Sequence, residues 1–141
     1  HRMAMDHPET IAAIASLAGA APSELIGAKP DSPVSILQIH GTKDSVIRYE
    51  GGDINAVQYP SAVETVEKWA AFNAGTKESK TPKKKLDLDK RLDGDETTIL
   101  EYDRANVELW TINDGSHIPS LSDQFCTSVI EWLLAHPKAA K

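Results

Sequence analysis

The run Val34-Ser35-Ile36-Leu37-Gln38-Ile39-His40 does most to narrow what this chain can fold into. It is rich in β-branched residues, follows Pro33 and stops at Gly41, which is the pattern of a strand. A second run, Ile11-Ala12-Ala13-Ile14-Ala15-Ser16-Leu17-Ala18-Gly19, is short, almost wholly apolar and closed by glycine. It predicts a strand buried on both faces, as in a parallel sheet, although its alanines also suit a helix. After Val34 to His40, helical patterns alternate with further strands. The order read from the residues is helix, strand, strand, helix, strand pair, strand, helix. Strands alternating with helices predict an α/β fold, a mostly parallel sheet flanked by helices on both faces.

The remaining elements have their own signals. Arg2 to His7 has helical composition, and Pro8 ends it. No N-cap precedes that helix, which predicts further residues of the same domain upstream. Pro60 opens a helix to about Phe72, with Ser61 and Glu64 as a capping pair and Val63, Val66, Trp69 and Ala70 as its apolar stripe. Asn73-Ala74-Gly75 closes it. Residues 76–85 are polar and predict a mobile loop. Lys85 to Asp89 and Thr97 to Tyr102 flank an Asp93-Gly94-Asp95 turn, so a hairpin or a pair of edge strands is expected. Val107 to Ile112 alternates as a strand. Ser122 to His136 forms the last helix, with Phe125, Val129, Trp132 and Leu133 at helical spacing. Cys126 beside Phe125 and Val129 reads as a buried, inert thiol. No linker or repeat divides the 141 residues, so one domain is expected.

Composition excludes several classes of function. The net charge is −6, whereas a nucleic-acid footprint needs a basic face. The cluster Lys83-Lys84-Lys85 follows Pro82 in a polar stretch and reads as a solvated loop. No apolar run approaches the roughly 20 residues of a membrane span. A single cysteine permits no internal disulfide. Asp87, Asp89, Asp93 and Asp95 invite a calcium loop, but counting from Asp89 puts Arg91 and Leu100 where ligands belong. The stretch reads instead as an acidic, solvated hairpin.

Two loops carry candidate chemistry. Gly41-Thr42-Lys43-Asp44 directly follows a strand, where ligands of open α/β sheets bind. A carboxylate there can orient a histidine; the plainer alternative is a turn or capping aspartate. Asp114-Gly115-Ser116-His117 also lies between a strand and a helix, and His117 alone would more often be an ordinary surface or core histidine. Together they are more specific. The acid precedes the base, as in the Ser, Asp, His chain order of α/β-hydrolases.

With these residues in view, the chain resembles polyhydroxybutyrate depolymerases and the related feruloyl and acetylxylan esterases. The resemblance runs through His1-Arg2-Met3-Ala4, His7-Pro8-Glu9, Ile39-His40-Gly41-Thr42-Lys43-Asp44, Tyr49-Glu50-Gly51-Gly52, Tyr59-Pro60-Ser61, Trp69 to Asn73 and Asp114 to His117. It covers the carboxy-terminal half of that α/β-hydrolase domain. It implies a carboxylic ester hydrolase acting on small or polymeric esters, with Asp44 as acid, His117 as base and no metal or organic cofactor. The nucleophile elbow would lie upstream of His1. Ser16, Ser61 and Ser116 sit in no Gly-x-Ser-x-Gly elbow. Ile118-Pro119 replaces an aromatic-proline pair of many relatives, and Asn73-Ala74-Gly75-Thr76 lacks the cysteine that many secreted relatives have. A secreted or periplasmic location is implied by resemblance alone. Two alternatives stand beside the esterase: a serine peptidase of the same fold, and a non-catalytic fragment or subunit. The last would associate through an exposed sheet edge, with the missing half or with itself.

Overall fold

The computed structural model describes residues 1–23, 25, 33–76, 78–82 and 84–138. Its elements are α1 (Arg2–Asp6), β1 (Ala13–Leu17), β2 (Ser35–Gly41), β3 (Gly52–Ile54), β4 (Val57–Tyr59), α2 (Ala62–Ala74), β5 (Thr97–Tyr102), β6 (Val107–Ile112) and α3 (Asp123–Ala135). A 3-10 turn, Asp103–Ala105, joins β5 to β6.

β1, β2, β6 and β5 lie side by side in that order. The pairs β1–β2 and β2–β6 are parallel, and β5 runs antiparallel to β6. The result is a mainly parallel sheet flanked by helices. Side chains of β2 alternate between its faces. Ile36 joins Val66, Trp69 and Ala70 of α2, whereas Leu37 and Ile39 join Trp110, Ile112 and Trp132 on the α3 side. Every residue of β2 is buried, because the strand has neighbours on both edges and cover on both faces.

Local chemistry explains the helix ends. The Glu64 amide donates to Ser61 Oγ at 3.0 Å, and the Ser61 amide donates to Glu64 Oε2 at 2.8 Å. This reciprocal box satisfies two donors that the first turn would otherwise leave open. Gly75 ends α2 in the left-handed region, with φ at 67°. Asn73 lies inside α2, where its amide donates to the carbonyls of Val34 and Ala105 at 2.8 and 3.0 Å. Ser122 caps α3 by accepting from the Phe125 amide.

The structure corrects three expectations and adds one element that the residues did not reveal. β1 is not buried on both faces: Ala13 packs against the α3-side cluster, but Ala15 and Leu17 are exposed. β1 lies at the sheet edge, paired among the described residues with β2 alone. Residues 85–89 form no strand; Leu86 and Asp89 make isolated bridges to Thr97 and Leu121. Cys126 is exposed, because it occupies the helix position next to Phe125 and therefore points about 100° away from it. The loop after Gly41 contains an unexpected hairpin, β3–β4, whose two turn residues Asn55 and Ala56 are both left-handed.

Of the polar stretch 76–85, Lys77 and Lys83 lie outside the described residues. Lys80 bridges to Glu101, and its ammonium reaches Asp103 Oδ2 at 2.6 Å. Lys84 and Lys85 are exposed. No helix among the described residues is long and apolar enough to cross a membrane.

Candidate active site

The last paired residues of β2 and β6 are Gly41 and Ile112. Both strands therefore end level, and the loops that follow emerge side by side. They are stitched together along their backbones. Thr42 N–H donates to Ile112 O at 3.0 Å, and Lys43 N–H donates to Gly115 O at 2.9 Å. Asp114 N–H donates to Thr42 Oγ1 at 2.8 Å, and Lys43 Nζ lies 2.9 Å from Asp114 Oδ1. This approach requires glycine at position 41, where a Cβ would lie 2.2 Å from Gly115 O; Gly115 is needed for its own tight turn, since a Cβ there would lie 2.5 Å from Ile112 Cγ2.

Asp44 and His117 meet across this seam. His117 Nδ1 is 2.9 Å from Asp44 Oδ2. The other carboxylate oxygen, Oδ1, accepts the amides of Val46 and Ile47 at 2.8 and 2.9 Å. The Asp44 side chain is fully buried, while that of His117 is 32% exposed. Burial pushes the Asp44 carboxyl up, but the bonds from His117, Val46 and Ile47 together outweigh it and hold the group below the ordinary aspartate value. The carboxylate also has a neighbour that sequence reasoning left in the strand: His40 Nε2 is 3.2 Å from Oδ2.

His117 Nε2 makes no hydrogen bond among the described residues, so that nitrogen remains open on the accessible side of the ring. Ser116 does not serve it, because its hydroxyl donates to Ile118 O at 3.1 Å. Ser61 Oγ is occupied by its helix cap. Ile118, which follows His117, is 77% exposed.

The acidic segment before β5 buttresses the histidine loop. Asp89 is buried, and its Oδ1 accepts the amides of Arg91 and Ser120 at 3.1 and 3.0 Å. Arg91 in turn donates to Ile118 O at 3.0 Å. Among the described residues no group of three or more histidine, cysteine, aspartate or glutamate side chains could hold a metal ion.

Beside the acid lies an apolar pocket of about 380 Å³, lined by Gly19, Ala20, Ile47, Ile54, Val57 and Tyr59. Ile47 belongs to both features: its amide holds Asp44 while its residue walls the pocket. The hairpin supplies three of the lining residues, and its absence from the sequence reading hid the pocket.

Chemically, the arrangement is a buried carboxylate fixing one nitrogen of a part-exposed imidazole and leaving the other free. Such a pair can take a proton from a hydroxyl and return it to a leaving group. Compared with known proteins, the chain matches no protein-family model, and none of the curated proteins matches it.

Proposed function

We propose that this chain provides the acid and base of a serine-type carboxylic ester hydrolase, as the carboxy-terminal half of an α/β-hydrolase domain. The observation that carries the proposal is the 2.9 Å contact from His117 Nδ1 to the buried Asp44, with Nε2 left open. Position supports it too, since both residues follow the carboxyl ends of adjacent parallel strands. The resemblance to polyhydroxybutyrate depolymerases and feruloyl esterases supplies the reaction class.

In this mechanism the nucleophilic serine comes from outside the 141 residues. His117 Nε2 accepts its proton as the serine oxygen attacks the ester carbonyl. The protonated ring then gives that proton to the departing alcohol, leaving an acyl-enzyme. Water repeats the sequence and releases the acid. Asp44 keeps the Nδ1 proton in place and stabilises the imidazolium. The pocket at Ile47, Ile54 and Val57 suits an apolar acyl or aryl portion of the ester.

A second reading, association without catalysis, is favoured by β1. Among the described residues its strand partner is β2 alone, and Leu17 on it is 38% exposed. An open parallel edge is a template for another strand. The serine-peptidase alternative shares the same acid and base and is separated only by substrate.

The test measures hydrolysis of p-nitrophenyl esters and of a peptide anilide by the chain alone and by the chain mixed with its upstream sequence. His117→Ala is the control. Ester hydrolysis that needs the upstream sequence and disappears with His117→Ala is the expected result. Hydrolysis that survives His117→Ala, or none in any sample, rejects the proposal.

A further inference from the structure

β2 is buried throughout, yet two of its residues are polar and lie on one face: Gln38 and His40. Buried polar groups persist where they are satisfied, and these two belong to a chain of hydrogen bonds whose direction can be worked out. The Trp69 indole can only donate, and its Nε1 is 3.0 Å from His1 Nδ1. His1 Nδ1 therefore accepts, and its proton sits on Nε2, 3.0 Å from Gln38 Oε1. The Gly19 carbonyl can only accept, and it is 2.7 Å from Gln38 Nε2. Both neighbours orient the Gln38 amide the same way. Its second N–H then points at His40 Nδ1, 3.3 Å away. His40 Nδ1 must accept, and the proton of His40 lies on Nε2. That N–H faces Ile47 O at 2.8 Å and Asp44 Oδ2 at 3.2 Å.

We propose that His40 is a positioning residue: a neutral Nε2–H imidazole that fixes the Asp44 carboxylate for His117. Ile47 is tied at both ends, its amide to Asp44 Oδ1 and its carbonyl to His40 Nε2. The turn that carries the acid is thereby clamped to the buried strand, and the carboxylate cannot rotate away from His117. Tyr49 packs edge-on against the His40 ring at 5.7 Å and holds its plane. A proton on Nδ1 would set donor against donor at Gln38, so the arrangement selects one tautomer. His40 has 1% exposure and touches no substrate. It acts only through Asp44.

The kinetic consequence rests on the esterase reading; the tautomer and the clamp do not. The experiment therefore begins with ¹⁵N-histidine NMR of the full-length protein, with His40 assigned by difference from His40→Gln. We expect the His40 proton on Nε2, and a downfield proton from His117 Nδ1–H. His40→Gln retains a donor near the Nε2 position and should keep the His117 signal. His40→Leu removes it and should lose that signal to solvent exchange. In ester hydrolysis, His40→Leu should lower kcat by about 100-fold with KM little changed, the cost of a carboxylate displaced by about 1 Å. His40→Gln should restore most of it. A His40 proton on Nδ1, or a His117 signal unchanged in folded His40→Leu, overturns the proposal. If His40→Leu does not fold, the wild-type tautomer and the Gln variant still decide it. Absent hydrolysis in wild type would count against the esterase reading alone.

Discussion

Replacing Gly41 with alanine tests the seam on which the candidate site depends. The added Cβ would sit 2.2 Å from Gly115 O, 2.5 Å from its carbonyl carbon and 2.8 Å from Ser116 O. All three are backbone atoms, so no side chain can swing aside. Restoring an ordinary contact needs one loop to move by about 1 Å in a close-packed region. That movement strains the bonds from Thr42 to Ile112 and from Lys43 to Gly115. Overpacking costs about 1–3 kcal/mol, and each weakened backbone bond adds about 0.5–1.5 kcal/mol. Together these come to about 2–6 kcal/mol. At about 4 °C per kcal/mol for a domain of this size, the melting temperature should fall by about 8–24 °C. Gly94→Ala is the control, since its Cβ would meet the Asp87 carboxylate no closer than an ordinary 3.5 Å. Circular dichroism melts of both variants suffice. A Gly41→Ala protein that melts within about 2 °C of Gly94→Ala would refute the reasoning.

Asp44→Asn keeps the size of the acid but presents an amide to His117. On the proposed esterase mechanism, ester hydrolysis by the chain combined with its upstream sequence should fall by about 10⁴-fold, as loss of the acid does in a serine protease. The lowered Asp44 value also makes a pH prediction: its stabilisation is present above about pH 3.9 and is lost as pH falls through the folded value. The stability gap between wild type and Asp44→Asn, measured in urea, should therefore close below about pH 4. Asn73→Ala strips donors from the buried carbonyls of Val34 and Ala105, and should cost about 2–3 kcal/mol by urea unfolding. The Asn73 Oδ1 that it also removes has no partner among the described residues, which keeps the loss from being larger. Cys126 should react stoichiometrically with a disulfide reagent in the native protein; a thiol that reacts only on unfolding would contradict its exposure.

Where a signal was local, the residues revealed it. Ser61 and Glu64 announce the start of α2 because a capping box needs only those two side chains and their own amides. Asp44 and His117 stand out because a strand end, a glycine and a titratable group occur together twice. What depends on neighbours was hidden. The apolarity of Ile11 to Gly19 cannot tell an edge strand from a central one, since that depends on what lies beside it. β3 and β4 are three residues each, and Ala56 in the left-handed region gives none of the usual asparagine-glycine cue. Asp87 to Asp95 reads as a solvated acidic stretch, yet Asp89 turns inward to cap the loop after His117. Gln38 and His40 did carry a signal. Two polar residues at alternate positions of a buried strand share a face and require a buried network to satisfy them.

The acid–base pair is a property of two strands more than of the whole fold. Gly41 faces Ile112 across the β2–β6 ladder, and from that level the loops need three and five residues to reach Asp44 and His117. A slip of one residue would reverse which face each side chain takes and would part Gly41 from the Gly115 carbonyl it approaches so closely. It would also turn Gln38 and His40 away from Gly19 and Ile47, leaving buried donors and acceptors unmatched at about 1–3 kcal/mol each. The polar residues on β2 thus enforce the register that places the acid beside the base. Because β2, β6 and their two loops supply every atom of that contact, Asp44 and His117 should remain paired in this chain whether or not a nucleophile is present.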